Sequence, residues 1–156
     1  MNSTHVDDAQ IAPVAADDLI HGAQRSLARA ALADTPHERY AAAHLAALRA
    51  AAAVIAVVAP RSRESRGGRS DSRAVRHRVR SAWVVLREVC PPLSEWADFF
   101  AAGAQTRAAA EAGIPCVSAR AADDLVRDAQ TFLARVCDVL ELAHQPALEL
   151  RLRAVG

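Results

Sequence analysis

Several kinds of residue are scarce or absent in this chain, and each absence narrows the classes of fold open to it. There is no lysine, so all 19 basic residues are arginine. Only 4% of the residues are aromatic and only six are glycine. Runs of β-branched residues are rare, and alanine supplies much of the 52% that is hydrophobic. Because alanine is the strongest helix former, we expect an all-α fold built from closely packed helices.

Cysteine is also scarce, which argues against a disulfide framework. Cys90, Cys116 and Cys137 are scattered along the chain and form no Cys-x-x-Cys pair. An odd and dispersed set of cysteines predicts neither disulfides nor a metal site, and it fits a reducing compartment. Residues 1–13 are polar and acidic and lack the apolar core of a signal peptide. We therefore expect a cytoplasmic protein with no metal or other cofactor.

The length of 156 residues predicts one domain. A chain of this size buries about 70% of its unfolded surface without a metal or disulfide. The pattern of apolar residues and helix breakers predicts a flexible N-terminus over residues 1–13. An up-and-down bundle of four to five helices over residues 14–144 follows, and then a tail over residues 145–156.

The second predicted helix has the clearest start signal in the chain. Thr35 is a suitable N-cap, Pro36 suits the first turn, and Glu38 completes a Thr-x-x-Glu capping box. We expect Pro60 to end this helix. Residues 40–59 are almost entirely apolar, but Arg49 interrupts them and alanine is only weakly lipophilic, so we expect a buried helix and no membrane span.

The remaining helices are predicted from periodicity and breakers. The first covers about residues 14–33, and the third begins between residues 72 and 81 and ends before the Pro91–Pro92 pair. Ser94 is a plausible cap for the next one, and a short helix covers residues 104–112. The last, residues 118–143, has the clearest amphipathic pattern, with apolar residues at helical spacing: Ala122, Leu125, Ala129, Phe132, Val136 and Leu140.

An arginine-rich segment separates the second and third predicted helices. It holds eight arginines against Glu64 and Asp71, a net charge of +6, within a chain whose net charge is +1. Guanidinium groups pair with phosphates and stack on bases, so the segment is a candidate nucleic-acid-binding site. The alternative is a solvated loop whose arginines reflect codon usage, and in either case we expect residues 61–73 to be mobile. The eight candidates are Arg61, Arg63, Arg66, Arg69, Arg73, Arg76, Arg78 and Arg80.

Five stretches of the chain together resemble domains of the HEPN superfamily. They resemble in particular a branch of high-GC bacterial HEPN proteins whose function is unassigned. The likeness extends over about residues 14–143. The stretches are residues 39–50, 81–86, 95–103, 109–114 and 121–133.

The resemblance implies a helical bundle that is usually a homodimer, and many HEPN proteins are metal-independent ribonucleases. Their motif is an arginine followed, after four to six residues, by a histidine, and Arg39 and His44 match that spacing. In such a mechanism His44 would be the general acid or base near neutral pH. Arg39 would stabilise the pentacoordinate phosphate formed when a 2′-hydroxyl attacks. RNA or a nucleotide would then be the partner.

The same two residues have an alternative interpretation without catalysis. Five residues along a helix correspond to about 140° of rotation and about 7.5 Å of rise, so the two side chains do not share a face. His44 lies on the stripe of Tyr40, Ala47 and Ala51, which is consistent with a core histidine. Arg39 could be an exposed charge in the first turn. The chain would then be a non-catalytic helical module that binds a protein partner.

Carboxylates offer a weaker candidate site. Glu95 and Asp98, and then Asp124 and Asp128, are spaced about one helical turn apart on two predicted helices. Hard cations such as Mg²⁺ prefer oxygen ligands of this kind. Acidic residues are also favoured in the first turns of helices, and that simpler explanation leads us to predict no metal site.

Overall fold

Helices account for almost all of the chain that the computed structural model describes, namely residues 8–65 and 81–154, with side chains described for residues 14–59, 81–141 and 143. Within these residues there are six α-helices, one 3₁₀ turn at Pro91–Leu93 and no strand. The predicted all-α fold is confirmed, with one helix more than the expected four to five. The helices are α1 (Asp8–Leu32), α2 (Pro36–Ser65), α3 (Ala82–Val89), α4 (Ser94–Ala102), α5 (Ala104–Glu111) and α6 (Ala119–Ala154).

Helix α2 is the centre of the bundle and packs against α1, α3, α5 and α6. Its inner surface consists largely of alanines that are at most 2% exposed, for example Ala43, Ala47 and Ala50. Small side chains let neighbouring helices approach closely, which explains how one helix contacts four others. Arg49 of α2 donates hydrogen bonds to the Gly22 carbonyl (3.0 Å) and to the Ser26 hydroxyl of α1, and these polar contacts fix α1 against α2.

The predicted capping box at the start of α2 is confirmed. The Glu38 amide donates to the Thr35 hydroxyl at 3.4 Å, and the Thr35 amide donates to a Glu38 carboxylate oxygen at 3.3 Å. The Thr35 hydroxyl also donates to that oxygen at 2.7 Å. These bonds, above all the side-chain bond from Thr35, lower the pKa of Glu38 below its usual value. Two backbone amides at the helix start are thereby satisfied.

The prediction that Pro60 ends the second helix is wrong, because α2 continues to Ser65. A proline removes one hydrogen bond to the preceding turn and bends a helix, but the other bonds allow the helix to continue. Residues 61–65 of the segment predicted to be a mobile loop are therefore helical. The remainder of that loop, residues 66–73, lies outside the described residues, as do residues 1–7 of the N-terminal segment predicted to be flexible. Residues 8–13 of that segment are helical and belong to α1, which corrects the prediction.

The last helix buries the predicted apolar stripe. The six stripe residues, from Ala122 to Leu140, are all at most 8% exposed and face α2 and α1. The helix is longer than expected, because α6 begins at Ala119 and continues to Ala154. The backbone of residues 145–154, predicted as a tail, is thus helical. Helix α6 continues through the proline at position 146, because the other backbone hydrogen bonds of the helix allow it to do so.

One helix of the described residues is long and apolar enough to span a membrane by length and composition alone. It is Pro36–Ala59 of α2, which contains an 18-residue window with a mean hydropathy of 1.9. Half of that window is buried inside the protein. The core helix of a soluble bundle meets the same two criteria, and the contacts of α2 with four helices are typical of such a helix.

Candidate functional site

His44 lies in the hydrophobic core and is only 1% exposed. Its Nε2 is 2.9 Å from the backbone oxygen of Phe100 in α4. Since a carbonyl oxygen only accepts hydrogen bonds, Nε2 carries a proton and donates it to this bond. Its Nδ1 is buried and has no hydrogen-bond partner among the described residues. The bond from Nε2 to Phe100 joins α2 to α4.

An aromatic cluster encloses the His44 ring. The rings of Trp83 and Phe100 are stacked at 5.3 Å, and each lies edge-to-face with His44 at 5.7 Å. Phe132 of α6 and Trp96 of α4 extend the cluster on its far side. Edge-to-face packing of this kind stabilises a ring by about 0.5–1.5 kcal/mol per pair beyond area burial. The imidazole of His44 is therefore packed in the core in the same way as the aromatic rings around it.

Gly103, between α4 and α5, completes the enclosure, and a larger residue there would have to displace a neighbouring side chain. A Cβ at this position would lie 2.9 Å from the Tyr40 hydroxyl oxygen and 3.5 Å from Cδ2 of His44. Burial is the main cause that raises the pKa of the Tyr40 hydroxyl, and Thr106 of α5 acts in the opposite direction. The chain turn at Gly103 therefore closes tightly over the edge of the histidine ring.

The electrostatics of this position disfavour a charged imidazole. Burial is the main cause that lowers the pKa of His44, and the charge of Arg107 adds to it. The Phe100 carbonyl and Glu111 act in the opposite direction and are outweighed. A lowered pKa favours the neutral ring, which is the form that a general base needs and a general acid lacks. Either role also requires contact with the substrate, and this ring is only 1% exposed.

Arg39 contacts a different part of the bundle. Its guanidinium donates to Asp123 in the first turns of α6 at 2.7 Å and to the Ala33 carbonyl at the end of α1 at 3.2 Å. The arginine side chain is 24% exposed and that of Asp123 is 51% exposed. Arg39 thereby links α1, α2 and α6, whereas His44 links α2, α3 and α4. The two candidate catalytic residues are engaged with different helices.

The eight candidate nucleic-acid-binding arginines lie at the edge of the described structure or beyond it. Arg61 and Arg63 belong to the helical extension of α2, whose side chains are not described there. The other six arginines, Arg66 to Arg80, lie outside the described residues. Their proposed contact with phosphates stays a prediction.

Two of the four candidate metal-binding carboxylates form ion pairs. Asp98 pairs with Arg87 at 2.8 Å, and Asp124 pairs with Arg127 and Arg120. No group of three or more metal-ligating side chains occurs within the described part of the chain. Burial raises the pKa of the Cys90 thiol, which lies in the core, and keeps it protonated.

A surface cleft that sequence reasoning missed lies between α2 and α5, next to α1. We call it the α2–α5 cleft, and its volume is about 340 Å³. Apolar side chains line part of it, namely Ala41, Ala42 and Leu45 of α2 and Ala110 of α5. The sequence offered only the small residues as a signal, and they do not show which helix lies opposite.

Charged and polar groups also line the α2–α5 cleft, and most of them already have partners. Glu38 accepts two hydrogen bonds from Thr35, and Glu111 is paired with Arg107 at 3.2 Å. His37 contacts the Thr35 hydroxyl at 3.3 Å. Arg29 of α1 has no hydrogen-bond or ion-pair partner among the residues that the structure describes.

Comparison with known proteins assigns most of the described bundle to one family. Residues 30–137 match the family described as HEPN_SAV_6107-like HEPN. The matched part runs from the end of α1 into α6 and includes both Arg39 and His44. No curated protein and no solved structure matched the chain.

Proposed function

Since this chain belongs to the HEPN superfamily, we propose that it is a non-catalytic member that serves as a helical protein-interaction module and forms a homodimer. The observation that carries the proposal is the burial of His44. Its donor nitrogen is bound to Phe100 and its other nitrogen faces an apolar enclosure. A histidine with this environment contributes to the core and is not accessible to a phosphodiester.

The engagement of Arg39 supports the same proposal. Its two donor groups are directed to Asp123 and to the Ala33 carbonyl, so the guanidinium serves to hold three helices together. To stabilise a pentacoordinate phosphate, the Arg39 guanidinium would have to break its bonds to Asp123 and to the Ala33 carbonyl. It would also have to turn toward the His44 ring, which lies on another face of α2. The motif spacing is present, but its residues perform structural roles.

A cleavage assay tests the absence of catalysis. Purified wild-type protein and the His44→Gln variant are incubated with several RNAs, and product formation is followed with time. The glutamine keeps an N–H donor for the Phe100 carbonyl, so the fold is retained, as far-UV circular dichroism would show. We expect no cleavage that depends on residue 44. A folded variant that loses a cleavage activity present in the wild type would refute the proposal.

The exposed face of α3 and α4 supports self-association. Val84 is 46% exposed and Phe99 is 47% exposed, so both offer apolar area to a partner. Arg87 and Asp98 form an ion pair on these two helices and keep more than half of their side-chain area exposed. In a two-fold interface a surface must complement itself. A patch with one arginine and one aspartate can do so, because the arginine of each copy can face the aspartate of the other copy.

Light scattering coupled to gel filtration tests this dimer. We expect wild-type protein to elute as a dimer and Val84→Asp to elute as a monomer, because a buried unpaired carboxylate opposes association. Leu32→Asp is the matched control, since Leu32 is 83% exposed at the end of α1 and lies on another part of the surface. A wild-type monomer, or a dimer unaffected by Val84→Asp, would refute this interface.

Nucleic-acid binding through the arginine-rich segment is the second candidate function. The net charge of +6 over residues 60–80 favours it. Each phosphate contact releases counterions, so affinity for RNA should fall steeply with salt concentration. We expect deletion of residues 61–73 to weaken RNA binding in a low-salt filter-binding assay. Affinity that is unchanged between low and moderate salt would rule out phosphate contacts.

A further inference from the structure

We propose that the α2–α5 cleft binds a small carboxylic acid with a compact apolar body. The proposal depends neither on the homodimer nor on whether the protein binds or cleaves RNA. Arg29 lies before residues 30–137, the part of the chain that matches the family, so family membership does not imply this site. The cleft volume of about 340 Å³ lies at the lower end of the range found for small-molecule sites.

Arg29 is the one arginine of the cleft lining, which also contains the carboxylates of Glu38 and Glu111. Both carboxylates of the cleft have partners within the protein, Glu38 at Thr35 and Glu111 at Arg107. Arg29 alone has no partner among the described residues. A planar guanidinium offers two parallel N–H groups that match the two oxygens of a carboxylate. A ligand carboxylate would complete this unpaired cation.

The two helix ends beside the cleft already have partners. The first turn of α2 contributes His37 and Glu38 to the cleft, and the Glu38 carboxylate caps the positive end of this helix. At the end of α5 the Gly113 amide donates to the Ala110 carbonyl and the Ile114 amide donates to the Ala109 carbonyl, both at 3.0 Å. Gly113 has a φ of 77°, as this type of cap requires. The negative end of α5 is therefore already capped.

The floor of the cleft determines the rest of the ligand. Ala41, Ala42 and Leu45 of α2, with Ala110 of α5, present methyl groups and one isobutyl group. Such a surface holds a short branched alkyl chain by burial of apolar area and provides no further hydrogen bond. The ligand class that fits both features is a carboxylate on a branched chain of a few carbons.

The experiment uses full-length, ¹⁵N-labelled protein and 4-methylpentanoate as the probe. We expect saturable shifts in the ¹H–¹⁵N spectrum at the amides of His37, Ala42, Leu45 and Gly113. Arg29→Gln should weaken binding by about fivefold or more, the effect of losing roughly 1 kcal/mol. Arg25→Gln is the matched control, because Arg25 lies one turn earlier on α1 and outside the cleft lining, and it should bind as the wild type does.

Two further probes separate the carboxylate from the alkyl chain. 4-Methylpentan-1-ol and 4-methylpentylamine carry the same chain with a neutral or a positive head, and we expect neither to give saturable shifts at these amides. Absence of saturable shifts with 4-methylpentanoate would overturn the proposal. Equal binding of the alcohol or amine, or an Arg29→Gln variant that binds as the wild type does, would also overturn it.

Discussion

Mild acid should destabilise this fold through His44. The pKa of the enclosed ring is lowered from its usual value of 6.5, chiefly by burial, whereas the unfolded chain leaves the ring in water. Below pH 6.5 the unfolded state therefore binds a proton that the folded state does not, and stability falls with pH. The loss continues until the pH reaches the lowered pKa of the folded state.

The size of the effect follows from the single proton involved. One proton bound only by the unfolded state gives a slope that approaches about 1.4 kcal/mol per pH unit. Arg107 and Glu111 of α5 shift the pKa of His44 in opposite directions, so burial remains the main cause of the lowered pKa. The structural reason for the missing proton is that Nδ1 has no acceptor among the described residues.

Urea denaturation followed by circular dichroism measures this slope. Wild-type protein and His44→Gln are unfolded at several values between about pH 7.5 and about pH 5, a range that lies above the usual pKa of glutamate. We expect the wild type to lose more stability than the variant as the pH falls below 6.5, at up to about 1.4 kcal/mol per pH unit. Curves of free energy against pH that run parallel for the two proteins would refute the reasoning.

Three further predictions concern contacts around this core. Gly103→Ala should lower the free energy of unfolding by about 1–3 kcal/mol, since its Cβ would lie 2.9 Å from the Tyr40 hydroxyl. Tyr40→Phe should reduce that loss. An equal loss with and without the Tyr40→Phe substitution would contradict this contact. Thr35→Ala should lower the unfolding free energy by about 1 kcal/mol through loss of the cap, as urea denaturation would show. Asp123→Asn should cost less than about 1 kcal/mol, because its pair with Arg39 is solvent-exposed; a larger loss in the same assay would show a buried role.

The local features of the fold were predictable because their causes lie within a few residues. The capping box at Thr35 and the apolar stripe of α6 depend on spacing along one helix, and both are confirmed. The end at Pro60 was wrong because a helix with many other backbone bonds continues past one missing donor. Sequence can identify a breaker, but the bonds of the surrounding helix determine whether it breaks.

The candidate site was harder to predict because it depends on which helices meet. The spacing of Arg39 and His44 is the same whether the pair faces a groove or the core. Only the position of α3 and α4 places Trp83 and Phe100 around the imidazole. Likewise, the α2–α5 cleft needs three helices in one arrangement, and the solitary Arg29 in the sequence gave no indication of it.

The central claim is that His44 is an enclosed, neutral core residue, and nuclear magnetic resonance of its ring tests that claim most directly. Long-range ¹H–¹⁵N spectra report which ring nitrogen carries the proton. The account predicts the Nε2–H tautomer at neutral pH, persistence of that tautomer below the usual pKa of 6.5, and no change on addition of RNA. A ring that titrates like an exposed histidine and shifts when RNA is added would contradict it.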